Sequence, residues 1–239
     1  MDIYFTNYRT IPLPSVDGST EEFNTELTSI DPENVLESLS KNTDEIKEYI
    51  SCYAAQKELK NCYLIRSDID INLEFDSLGH IRTDRFGQKF YDLFINTSGA
   101  TINLTFNNIF FSKDSVEVVQ LPAIYHDTPF DKDFYPCIGS YDISKWFRPL
   151  NAGYINKDLH KQKSISIKRG DPLFYVKFNT DSKVRLKKFE FTDHLYHKMT
   201  SCTSVKLTNP KLNLQKLYNI FRSNNFNSRI LKEIKNNLI

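Results

Sequence analysis

Apolar and polar residues alternate with a period of two through the middle of the chain. They recur with a helical period near its two ends. Ile69, Ile71, Leu73 and Phe75 alternate with Asp70, Asn72 and Glu74, which predicts a half-buried strand beginning soon after Cys62. The stretch 77–80 reads as a turn. Further strands are predicted around 90–96, 101–111, 116–121, 165–168, 173–178 and 184–191. Leu104, Phe106 and the run 109–111 make 101–111 dense in strand formers. The stretch 122–136 reads as a loop carrying Asp127, Asp131 and Asp133 among aromatics. Within 165–178, two short apolar runs flank a basic Gly-Asp-Pro turn, which reads as a β-hairpin-like or a strand–turn–strand unit.

The helical signals flank these strands. Residues 1–30 read as extended and irregular, punctuated by Pro12, Pro14 and Gly18. Asp31-Pro32 reads as an N-cap followed by proline at the first helical position, opening a short helix that fails around 38–42. Thr43 or Asp44 opens a better helix, with Ile46, Tyr49, Ile50, Tyr53 and Ala54 on one face and Asn61 at its end. Near the other end, 193–201 predicts a short helix and Asn209-Pro210 a second cap. Leu214, Leu217, Tyr218 and Phe221 form the stripe of that second helix. Residues 223–227 break the pattern, and Ser228 opens a last helix with Ile230, Leu231, Ile234 and Leu238 on one face. Two such helices make an αα-hairpin. The fold class is α+β: a mainly antiparallel β-sandwich or barrel with an N-terminal helical region and C-terminal helices. Its parts are an acidic arm and helical region (1–61), a β-rich core (62–192) and basic helices (193–239), within one structural domain.

Composition narrows the function. The 239 residues suffice to bury a core, and 40% apolar with 26% charged residues is ordinary for a globular chain. There are only 7 glycines, none spaced as G-x-G or in a phosphate-binding loop, which excludes the usual dinucleotide and nucleoside-triphosphate cradles. No apolar run reaches the ~20 residues of a membrane span, so no membrane partner is expected. The opening MDIYFTNYRT lacks the basic start and apolar run of a secretion signal. The four cysteines, Cys52, Cys62, Cys137 and Cys202, then read as reduced and mostly buried thiols. Charge is polarised. Residues 1–60 hold twelve acids against five bases, and residues 183–239 hold twelve bases against three acids. Such a chain can pair its own ends, pair with a neighbouring copy, or offer the basic end to nucleic acid.

Candidate chemistry is thin. His194, His197 and Cys202 lack a fourth partner and a zinc spacing, and Asp127, Asp131 and Asp133 lack the glycine and glutamate of a calcium loop. Neither metal nor cofactor is expected. No nucleophile elbow is present, although a triad can assemble from distant positions. Trp146, the one tryptophan, reads as core with Arg148 pairing Asp142, or else as an exposed binding anchor. Lys183, Arg185 and Lys187 share one face of a strand. They either shield a sheet edge or track phosphates.

Three segments carry a resemblance. Cys62-Tyr63-Leu64-Ile65 leading to 68–71, together with 140–150 and 165–178, resembles an uncharacterised protein family of large T4-like tailed bacteriophages of marine bacteria. That family usually has Cys-Pro-Pro before its first strand, whereas Tyr53-Ala54 follows Cys52 here. The resemblance implies a phage setting, in the virion or the host cytoplasm. The expectation is a non-enzymatic phage protein that acts by protein–protein binding in the virion or its assembly, through self-association or with other phage structural proteins. A second resemblance joins 165–178 and Ser140-Tyr141-Asp142-Ile143 to dUTPase-like barrels, but the Arg-Ser-Gly motif and the water-activating Asp segment of those enzymes are missing. It implies an accessory nucleotide-binding or nucleotide-processing protein whose pocket would use Asp142, Arg148, Arg169 and Asp171. A third reading is nucleic-acid binding through the basic C-terminal end, by Lys183, Arg185 and Lys187.

Overall fold

The computed structural model describes residues 1–7, 29–41, 44–68, 70–75, 81–82, 95–98, 101–158, 163–209 and 211–239. The punctuated stretch from Pro12 to Gly18, the turn at 77–80, most of the strand expected over 90–96, and the residues Thr43, Ile69 and Pro210 lie outside them. Two large open sheets and one small one form the core, and no described sheet closes into a barrel. The first sheet has the order β14 (Arg185–Lys188), β1 (Asp2–Asn7), β7 (Thr101–Phe111), β11 (Pro149–Asn156), β9 (Phe134–Pro136), with β6 (Ile95–Ser98) also on β7. Its pairs are antiparallel except β1 with β14. The second is antiparallel: β10 (Gly139–Asp142), β8 (Glu117–Pro122), β13 (Pro172–Asn179), β3 (Cys62–Arg66), β2 (Glu33–Asn34). The third joins β12 (Lys163–Ile167), β4 (Ile71–Phe75) and β5 (Ile81–Arg82).

Side-chain alternation turns these sheets into four layers. Phe5 and Phe110 are cross-strand partners and point inward, with Phe110 edge-on to Phe178 of the second sheet at 5.4 Å. Their neighbours Tyr4 and Phe111, also partners, point outward and are buried just as well. The outward face meets α4 (Asp193–Thr208), α5 (Leu214–Ser223) and α6 (Phe226–Asn236), through Leu195, Met199, Phe221, Ile230 and Ile234. The second sheet repeats the scheme. Ile65, Val176 and Phe178 face the centre, whereas Cys62, Leu64 and Tyr175 face α1 (Val35–Leu39), α2 (Asp44–Ser51) and α3 (Tyr53–Glu58). Both sheets are therefore sandwiched. That is why β1, β3 and β13 read as continuous buried runs rather than alternating ones.

Several expectations change. Residues 2–7, expected to be irregular, form a strand in the middle of the first sheet. Asp31 does not open a helix, and Asn209 closes one instead of opening one. The caps are Asn34 and Asn213, whose side chains accept from the backbone N–H groups of Glu37 and Lys216. The helix expected from Asp44 breaks at Cys52, leaving Tyr49 and Tyr53 exposed and Ile50, Ala55 and Leu59 buried. The helix expected over 193–201 continues to Thr208, and the last helix starts at Phe226 after Asn225. The strand–turn–strand unit is not a hairpin: β12 pairs with β4 and β13 with β3 and β8. Of the four thiols, only Cys62 and Cys202 are buried, and all four are unbridged.

Candidate functional site

The strand β10 ends on Asp142, and a tight turn carries the chain back into β11. Asp142 is only 5% exposed. Its carboxylate accepts from the Ser115 hydroxyl, from the Ser144 backbone N–H (2.9 Å) and hydroxyl (2.6 Å), and pairs with Lys145 Nζ at 2.6 Å. Burial pushes its pKa up, but the bonds from Lys145, Ser115 and Ser144 outweigh burial and hold it below the usual carboxylate value. Its backbone N–H donates to the Tyr218 hydroxyl on α5 at 2.8 Å. Asp142 thus ties a strand end, a turn and a helix together, and its counter-charge is Lys145.

Arg148 takes a different route from the pairing with Asp142 read in the sequence. Its guanidinium lies 5.5 Å from the Tyr141 ring centroid and 5.4 Å from that of Trp146. Burial depresses its pKa. Trp146 is core, 3% exposed, and its indole N–H, like Arg148 Nε, has no hydrogen-bond partner among the described residues.

Arg169 and Asp171 lie elsewhere. They form a turn closed by Asp171 N–H on the Lys168 carbonyl (3.0 Å), with Gly170 at φ +91 supplying the left-handed position. The Asp171 carboxylate accepts from Lys168 N–H, and Arg169 donates to the Asp68 carbonyl and the Asp70 carboxylate. This turn enters β13 beside Arg66, at the Pro122 end of β8, whereas Asp142 faces Glu117 at the other end. Five strand residues separate the two ends, about 17 Å. The four residues expected to share a nucleotide pocket therefore sit at opposite ends of one sheet.

Of the basic trio expected on one strand face, Arg185 and Lys187 lie on β14, an edge strand, whereas Lys183 precedes it. Arg185 and Lys187 both turn to Asp2 on the neighbouring strand, at 2.8 and 2.7 Å, while Lys183 is exposed and gives its carbonyl to the Met1 amine.

One concave feature among the described residues was not singled out in the sequence. A cleft of about 440 Å³ opens beside α2, lined by Tyr49, Ile124, Tyr125, His126, Asp127 and Asp131. The Tyr49 and Tyr125 rings lie 5.6 Å apart at 48°, and their hydroxyls bond at 3.1 Å. That bond and burial raise the Tyr125 pKa to about 12. Behind them runs a polar chain. His126 Nδ1 lies 2.7 Å from the Tyr175 hydroxyl, and His126 Nε2 lies 3.2 Å from Ser38 Oγ. Ser38 Oγ also accepts from Arg66, which with Lys41 shares the Glu33 carboxylate.

The Tyr175 oxygen also accepts from the Tyr125 N–H at 3.3 Å, so each ring nitrogen of His126 meets a hydroxyl, and which nitrogen donates is set by the tautomer. Burial, with Arg66, holds the His126 pKa below its usual value, against smaller opposite pulls from Glu33 and Asp127.

The acidic loop around Asp127 and Asp131 was visible in the sequence. Its aromatic wall was not, because Tyr49 lies 76 residues from Tyr125. Among the described residues no cluster of three or more metal-ligating side chains forms, and His194 pairs with Glu233 at 3.2 Å. Among them, too, no helix is long and apolar enough to cross a membrane. Comparison with protein families, with curated proteins and with solved structures found no match to this chain.

Proposed function

We propose that this chain is a non-enzymatic phage protein that acts by protein–protein binding, in the virion or its assembly, with further copies of itself as the first partner. One observation carries the reading: large apolar side chains stand exposed around the cleft. Tyr49 is 54% exposed, Ile124 67% and, on the adjoining helix, Tyr53 79%. Aromatic side chains clustered at a concave surface are the usual anchors of a protein interface. The phage setting rests on the segment resemblance at 62–71, 140–150 and 165–178.

Sedimentation velocity on the purified chain tests this, at about 50 mM and about 500 mM salt. The expected result is a concentration-dependent species larger than a monomer, with Tyr53→Ser and Ile124→Ser shifting it toward monomer. A single monomeric species across micromolar concentrations and both salts overturns self-association.

A further inference from the structure

The cleft combines two things that together select a cation. Its wall is an aromatic corner, the exposed Tyr49 and the half-buried Tyr125, whose hydroxyls are occupied with each other. Its rim carries Asp127, which is exposed, and Asp131, one of whose oxygens accepts the Thr128 N–H. The nearby Lys157 ammonium is taken up by the carbonyls of Asp131 and Lys132 and lies 4.6 Å from the Tyr135 ring, so it does not pair with these carboxylates. Aromatic faces beside carboxylates favour a guanidinium or ammonium over a neutral or anionic group.

The opposite outer layer of the molecule offers such groups. On α6, Arg229, Lys232 and Lys235 are exposed on successive positions three apart, over the buried Ile230 and Ile234. The two helical layers lie on either side of both sheets, about 30 Å apart at ~10 Å per layer. The basic helix of a chain therefore cannot reach its own cleft, whereas that of a second copy can.

We propose that the Tyr49–Tyr125–Asp127 cleft receives a cationic side chain from α6 of a second copy, joining copies head to tail. The proposal rests on the self-association reading and adds which surfaces meet. A contact of this kind uses two different patches, so it closes into a ring or runs on as a filament.

Two variants test it by complementation. One loses the cleft (Tyr49→Ser with Asp127→Lys), and the other loses the basic face (Arg229→Glu, Lys232→Glu, Lys235→Glu). All five positions are exposed, and circular dichroism verifies folding. Each variant alone should sediment as a monomer. Their equimolar mixture should form a dimer, because one intact cleft meets one intact helix. The milder Asp127→Asn should weaken wild-type association about tenfold. If the wild type associates but the cleft variant associates equally well, or the mixture stays monomeric, the cleft assignment is overturned while self-association stands. A wild type that is monomeric throughout overturns both.

Discussion

Asp142 is buried and His126 half-buried, and the neighbours of each push its titration in ways that matter for stability. Asp142 keeps its charge because Lys145, Ser115 and Ser144 surround it. His126 loses its charge because burial and Arg66 disfavour the imidazolium. A histidine whose folded pKa lies below its unfolded value of about 6.5 takes up protons more readily when unfolded. Its contribution to stability is then complete above about pH 6.5 and is lost as pH falls through the folded pKa. The urea midpoint of the wild type should therefore drop on acidification below about pH 6.5, and His126→Asn should flatten that drop. Equal slopes for both proteins would sink this account. At this scale legibility followed distance along the chain. Asp142, Trp146 and Arg148 stand together in sequence and in space. Ser38, Tyr49, His126 and Tyr175 meet only because helices and strands far apart in sequence bring them together.

Two elements turn on asparagines in the left-handed region. Asn61 (φ +56) joins α3 to β3, and Asn225 (φ +52) joins α5 to α6. Asn61 does more than turn the chain. Its amide donates to the carbonyls of Thr180 and Ser182 at 2.8 Å each, and its oxygen accepts the Val184 N–H at 3.0 Å. Among the described residues, the Asn225 side chain accepts only the exposed Ser228 hydroxyl from another side chain. Glycine fits the backbone at both positions. Asn61→Gly should cost about 2–4 kcal/mol through three lost bonds, and Asn225→Gly should stay within about 0.5 kcal/mol. Urea unfolding of the two variants decides; comparable costs would show that backbone conformation, not bonding, dominates at Asn61. Elements with one strong period were legible: β7 falls at 101–111 as its strand formers indicate, and the Leu217/Phe221 stripe of α5 is buried. The caps were misplaced for a local reason. A residue before proline prefers extended backbone, so the chain stays extended at Asp31-Pro32, and Asn209 (φ −137) ends a helix rather than starting one.

Across the whole molecule, the defining feature is that each large sheet is covered on both faces. Phe110 and Phe111 show it within two residues: one ring meets Phe178 across the sandwich, and the other meets Phe147 and Phe221 under the C-terminal helices. In a two-layer sandwich one of them would face water. Here Phe110→Ala and Phe111→Ala should each cost about 3–5 kcal/mol, measured by urea unfolding. A near-neutral Phe111→Ala would mean the helices do not pack on the sheet. The charge polarity of the chain is partly settled internally, with Asp2 taking Arg185 and Lys187 and Asp31 taking Lys188. The sequence by itself determined the α+β class, the main strands and the helical ends, because period and turn chemistry are local properties of the chain. Only the tertiary structure decided which strands pair. β13 already has β8 and β3 on its two sides, so β12, though next to it in sequence, pairs with β4. The same long-range packing set the four layers, turned Arg148 to the rings of Tyr141 and Trp146, and built the cleft at His126. Those outcomes depend on which buried faces meet, and no local pattern encodes that.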